Sequence, residues 1–211
     1  MPHWCSNMHV FYTEGEDRSE LLRLHRDLTS ILETPSEVKN DFEPGWLGKV
    51  VIKHGLDWEN VSCRGFITDL CDYDTKSNFI VLHSETAWAP MDGLWEAVID
   101  HYPGVSFVYL AEECTEDIYV NTDSAGTYMP DRFKFELCGD APIPEGWYAN
   151  QEKPNYIEIL EYFADFEKLV AYCLKLTGKV FTAFNELKDY FTDIFEDEGD
   201  VVVCVKEFTL S

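Results

Sequence analysis

The chain lacks the cysteine spacing of a zinc ribbon or a disulfide framework. Its seven cysteines, Cys5, Cys63, Cys71, Cys114, Cys138, Cys173 and Cys204, stand singly, with no C-x-x-C pair. Basic side chains are scarce: 16 Lys and Arg face 40 Asp and Glu, for a formal charge of -24. That charge repels phosphate backbones and anionic lipid surfaces, so neither direct nucleic-acid binding nor membrane binding is expected. No apolar run approaches the roughly 20 residues that span a bilayer. The first residues, Met1 to Asn7, hold no basic stretch followed by an apolar one, and a cytoplasmic location is expected. Asn60-Val61-Ser62 has the glycosylation spacing, but a cytoplasmic chain never meets that modification.

Catalytic signatures are missing as well. There is no G-x-S-x-G elbow, and Gly45-Trp46-Leu47-Gly48 is too short and too apolar to cradle a nucleotide, with no G-K-[ST] after it. No catalytic residue, cofactor or metal is assigned on these grounds.

What is present is core-forming material. Of 211 residues, 45% are hydrophobic and 15% aromatic, enough for one domain of ordinary size or one domain with a subdomain. Residues 4 to 13 read as a strand. Leu21, Leu22, Leu24, Leu28, Ile31 and Leu32 then recur at helical spacing until Thr34-Pro35 stops the pattern. Trp46 to Ile52 predicts a short helix. Strands are expected at 63–70 and 79–84, a helix at 91–101 closed by Pro103-Gly104, and strands at 105–111, 118–121 and 133–137 forming a meander. Residues 139–155 carry Pro142, Pro144 and Pro154 with Gly139 and Gly146, and read as a connection. Beyond it, a strand at 156–162, two helices and a strand at 201–208 make a β-α-α-β unit. Its helices echo one another: Phe166, Leu169 and Tyr172 match Phe184, Leu187 and Tyr190, a stripe that points to shared core packing.

Several sets of side chains invite a chemical reading. His3, Cys5 and His9 share one face of the first strand, and His83 lies two residues from Glu85. Asp69, Asp72 and Asp74, Glu112-Glu113 with Glu116-Asp117, and Glu196 to Asp200 could offer oxygen ligands, but none follows the twelve-residue calcium-loop order. Solvated turns account for them more simply. Trp88, with Trp95, Tyr102 and Tyr109 nearby, could form an aromatic patch at a strand-to-helix junction, though core packing is the favoured explanation.

Four segments, Met1-Pro2-x-Trp4-Cys5-x-Asn7, Glu85-Thr86-Ala87-Trp88-Ala89-Pro90, Tyr109-Leu110-Ala111-Glu112-Glu113 and Tyr128-x-Pro130-Asp131-Arg132, carry a resemblance over roughly residues 1 to 138. In them the chain resembles phage- and plasmid-associated proteins with a YubB-type ferredoxin-like domain, the Api ninety-two-like family. His3 stands where that family usually has Asn. The resemblance implies a ferredoxin-like sandwich and no settled activity; it implies no iron–sulfur cluster.

The expected fold is therefore α+β: an antiparallel sheet with helices mainly on one face, a ferredoxin-like core over 1–138, the 139–155 connection, and a C-terminal β-α-α-β elaboration over 156–211 docked on the core. The expected function is that of a non-catalytic acidic protein from a mobile element that acts on a basic protein partner, in the sharpest form as a nucleic-acid mimic. Its contact surface is expected in the acid-rich segment 51–150, at Trp88, Glu112, Glu113, Glu116, Asp117 and Asp131. The alternative is a small hydrolase or metal-dependent enzyme whose site is assembled from distant residues.

Overall fold

A computed structural model describes residues 3–34, 45–57, 59–140, 143–144, 146–147, 156–196 and 201–211. Two compact units divide the chain, the first ending at Asp123 and the second running from Ser124 to Leu210.

In the first unit, β1 (Trp4–Tyr12), α1 (Ser19–Glu33), α2 (Leu47–Lys53), β2 (Gly65–Leu70), β3 (Phe79–Ala87), α3 (Asp92–Ile99), β4 (Ser106–Glu113) and β5 (Ile118–Asn121) follow in order. The strands align as β2-β3-β1-β4-β5, each antiparallel to its neighbour. β1 is central because both its edges are taken: Trp4 to Tyr12 pair with Ala87 to Phe79, and Ser6 to Tyr12 pair with Glu112 to Ser106. Alternation sends Phe11 of β1 and Ile80 and Leu82 of β3 into a core with Leu21, Leu24, Leu28 and Ile31 of α1, Val50 and Val51 of α2, and Leu94, Trp95 and Val98 of α3. Thr34, forced toward extended backbone by the proline after it, has φ -83° and ψ 121° and ends α1. Gly45 must lack a side chain, since a Cβ there would lie 2.2 Å from the Ile67 carbonyl oxygen, where the two backbones exchange a hydrogen bond.

The second unit holds β6 (Phe133–Gly139), β7 (Ile157–Phe163), α4 (Phe166–Thr177), α5 (Phe184–Phe195), β8 (Val201–Glu207) and the short β9 (Thr209–Leu210). β6 lies between β7 and β8, antiparallel to both. Its inward residues Phe135 and Leu137 meet Leu169 and Cys173 of α4 and Leu187 and Phe191 of α5, with Phe135 and Phe191 edge-to-face at 4.8 Å. The repeated Phe, Leu and Tyr of the two helices all enter this core, as core packing requires. α4 begins with Asp165 accepting the Lys168 N–H at 2.8 Å and ends at Gly178, whose φ of 73° suits glycine.

The α+β class and the β7-α4-α5-β8 order match what the sequence predicts. β6 differs: it does not extend the first meander but centres the second sheet, so the division falls after Asp123 and not at 139–155. Alternation marks a strand without marking its partner, and β6 is one strong strand with both edges to fill. Most of 139–155 lies outside the described residues. No helix among the described residues is long and apolar enough to cross a membrane.

Candidate functional site

Antiparallel pairing brings the start of β1, the end of β3, the start of β2 and the β4–β5 turn to one end of the first unit's sheet. Trp88 follows β3 directly. Its N–H donates to the His3 carbonyl at 2.8 Å, the Ala87 N–H to the Arg64 carbonyl at 2.8 Å, and the Thr86 hydroxyl to the Ala89 carbonyl at 2.8 Å. These bonds hold Trp88 at a φ of 67°, a left-handed conformation that costs a bulky residue about 1–3 kcal/mol and persists only where its surroundings enforce it. Trp88 is 40% exposed, and its ring carries the Arg64 guanidinium 4.4 Å from its centroid. Trp4, also exposed, lies 5.8 Å from the Phe66 ring.

Across β1 from this aromatic corner is the acidic turn. Glu113 is buried, and its carboxylate accepts the Thr115 N–H at 3.0 Å and the Glu116 N–H. Burial opposes its charge, but the Glu116 and Thr115 donors prevail and keep its pKa below the ordinary carboxylate value. Glu113 therefore shapes the turn and is not part of the exposed surface expected of it. Glu116 and Asp117 are exposed, Asp117 with a φ of 56°; Glu112, paired with Ser6, is half-buried. His3 Nδ1 lies 3.1 Å from the Thr115 hydroxyl and ties the turn to β1.

Of the six residues expected on the contact surface, Trp88, Glu112, Glu113, Glu116 and Asp117 thus converge at one sheet end. Asp131 belongs to the second unit, in the segment before β6, where burial raises its pKa against the pull of Arg132 and Lys168. Sequence reasoning missed Arg64 and Trp4 as members of this end; pairing of β1 with β3 brings in Trp4, and pairing of β2 with β3 brings in Arg64.

The other candidates separate. Trp95 and Tyr102 are buried in the core, and Tyr109 is half-buried. Cys5 and His9 are buried and His3 is exposed, so the first-strand set does not converge on solvent. Burial pushes the Cys5 thiol up to about 11. His9 is enclosed by Phe11, Trp95, Phe107 and Tyr109 at ring separations of 5.2–6.3 Å. Asp72 and Asp74 lie on the β2–β3 connection, while residues 197–200 lie outside the described residues. Among the described residues, the side chains whose potential ligand atoms converge are Asp69, Cys71 and His83, all within 4.8 Å of one another.

The fold and this sheet end define a strongly acidic two-unit α+β protein with an aromatic corner and an acidic turn at one sheet end. Comparisons with protein families, curated proteins and solved structures find no match.

Proposed function

We propose that the chain is a non-catalytic binding protein that engages a basic protein partner through the Trp88 end of its first unit, and that this unit is a ferredoxin-like sandwich. The β2-β3-β1-β4 order, reached through two split β-α-β connections, supports the second statement. The YubB-type resemblance and a mobile-element origin belong to the same reading. For the function, one observation carries the weight: the Trp88 ring, held in a strained and exposed position, stacks a guanidinium at the same sheet end that carries the exposed carboxylates of Glu116 and Asp117. Aromatic faces flanked by carboxylates recognise arginine by stacking and paired hydrogen bonds. A partner with an arginine-rich, nucleic-acid-binding groove fits that chemistry and the charge of -24.

An arginine-rich peptide titrated against the protein by calorimetry tests this. Trp88→Ala and the pair Glu116→Gln/Asp117→Asn are each expected to weaken binding about tenfold, which corresponds to about 1.4 kcal/mol. Removing two charges elsewhere, with Glu158→Gln/Glu161→Gln, is expected to weaken it less than about twofold. Equal losses from both charge pairs would reduce the interaction to net charge and remove the site.

A further inference from the structure

The outer face of the β2–β3 hairpin carries donor atoms that neither the core nor the Trp88 end uses. On β3, Ile80 and Leu82 point into the core, so His83 points to the opposite face. On β2, Ile67 is a core residue, and unbroken alternation would carry Asp69 inward after it. Instead the register shifts between Ile67 and Asp69, leaving Thr68 as an extra residue. Past this bulge Leu70 packs toward the core, while Asp69 pairs directly with His83 and Cys71, anchored by its N–H to the Val81 carbonyl at 3.0 Å, follows on the same side. A bulge that re-aims side chains is common beside functional sites. The outcome is a carboxylate, a thiol and an imidazole with all three potential ligand atoms within 4.8 Å, and the Cys71 thiol donating to Asp69 Oδ2 at 3.7 Å.

We propose that Asp69, Cys71 and His83 form a three-ligand site for a zinc-type divalent cation, with a fourth coordination position open to solvent. The donor set decides the metal class. Calcium and magnesium take oxygen ligands, whereas sulfur, nitrogen and oxygen together suit a borderline-soft ion such as zinc. Bonds of about 2.0–2.3 Å place tetrahedral ligands about 3.5 Å apart, so the three atoms need to gather by only about 1 Å. Asp69 is exposed and can rotate; Cys71 and His83 are half-buried and fixed by paired strands. Asp72 and Asp74, on the connection that follows, add the negative charge that draws a dication to this end of the hairpin.

Cobalt(II) serves as the probe, since a thiolate bound to tetrahedral cobalt gives a near-ultraviolet charge-transfer band. The chelator-treated full chain is expected to develop this band with one equivalent of cobalt and to lose it when zinc is added. Cys71→Ser and His83→Gln are each expected to abolish the band and to weaken zinc binding at least about 100-fold, at or beyond the upper end of what losing an outer-sphere partner costs. Asp69→Asn, at an exposed position, is expected to weaken zinc about tenfold and keeps the test decisive if either other variant misfolds. Cys114→Ser, which removes an exposed thiol elsewhere, is expected to leave band and affinity unchanged. A wild-type chain with no thiolate–cobalt band, or a band that survives Cys71→Ser and His83→Gln in folded protein, overturns the site.

Discussion

The two sheets of this protein are lined differently. In the second unit, β6 faces its helices with Phe133, Phe135 and Leu137, and the core is apolar and aromatic. In the first, the central strand β1 places Asn7 and His9 between Cys5 and Phe11, and Ser84 and Thr86 of β3 join them, all buried. Among the described residues, every buried polar or charged side chain lies at or before Asp123. Apolar alternation excludes a one-residue slip but keeps the same face inward after a two-residue one, whereas a polar network is lost on either. The Asn7 side-chain amide donates to the Cys5 carbonyl at 2.9 Å, the Ser84 carbonyl at 3.3 Å and the Thr86 hydroxyl at 2.8 Å. That lock fixes β1 against β3, and the same pairing sets Trp88 beside His3 and keeps β3 in place for β2. The unit that carries both the Trp88 end and the Asp69 cluster is the unit whose register is specified by polar groups.

The largest effect that would sharpen this contrast is expected in the apolar unit. Phe191 is fully buried and touches Phe135, Trp147, Phe181 and Tyr190. Phe191→Ala is expected to cost about 3–5 kcal/mol through lost burial and the cavity left behind, read by urea denaturation and by hydrogen exchange of α5 and β6 amides. A cost below about 1.5 kcal/mol would mean that this core tolerates loss and that the apolar unit is not held by packing.

Asn7→Ala tests the other side. It strands the Thr86 hydroxyl and two carbonyls of their Asn7 donor, and the expected loss is about 2–3 kcal/mol. Because the lock is positional, Asn7→Asp, which preserves shape and removes the amide donor, is expected to cost at least as much. If Asn7→Ala is neutral, polar specification of the register is wrong.

Which parts of this were legible in the sequence follows the same division. α1, α4 and α5 could be read because helical period is local, and the echo of Phe166, Leu169 and Tyr172 in Phe184, Leu187 and Tyr190 stated its role outright. The strands were legible as alternations, but the sheet to which β6 belongs was not, since Phe133, Phe135 and Leu137 would suit either core. At the candidate site, Trp88 and the Glu112 to Asp117 acids were found from residue type, yet nothing in the local sequence signals a left-handed Trp88, where glycine or asparagine is the usual occupant. Arg64 arrives only through β2–β3 pairing. Asp69 and Cys71 alternate visibly, and His83 is twelve residues beyond Cys71, but their convergence depends on the Thr68 bulge, which periodicity cannot show.

The smallest effect concerns His9, where, as at Ser84 Oγ, the polar lining of the first unit lacks a hydrogen-bond partner among the described residues. Both ring nitrogens lack a hydrogen-bond partner, and burial, reinforced by His83, lowers its pKa from 6.5 to about 3. The folded chain therefore keeps His9 neutral while the unfolded chain takes up a proton below about 6.5. Stability is complete above that value and falls as the pH drops toward 3, by roughly 1.4 kcal/mol per unit, or roughly 2 kcal/mol by pH 5. His54, whose pKa is also lowered chiefly by burial, adds a shallower slope of the same sign. His9→Leu removes the unpaired nitrogens and the titration together. It is expected to match or exceed the wild-type stability at pH 7 by up to about 1 kcal/mol and to flatten the decline between pH 6.5 and 5, leaving the His54 contribution. A decline of unchanged steepness in urea titrations of the variant would show that His9 finds a hydrogen-bond partner or water in the folded chain and does not carry the acid sensitivity.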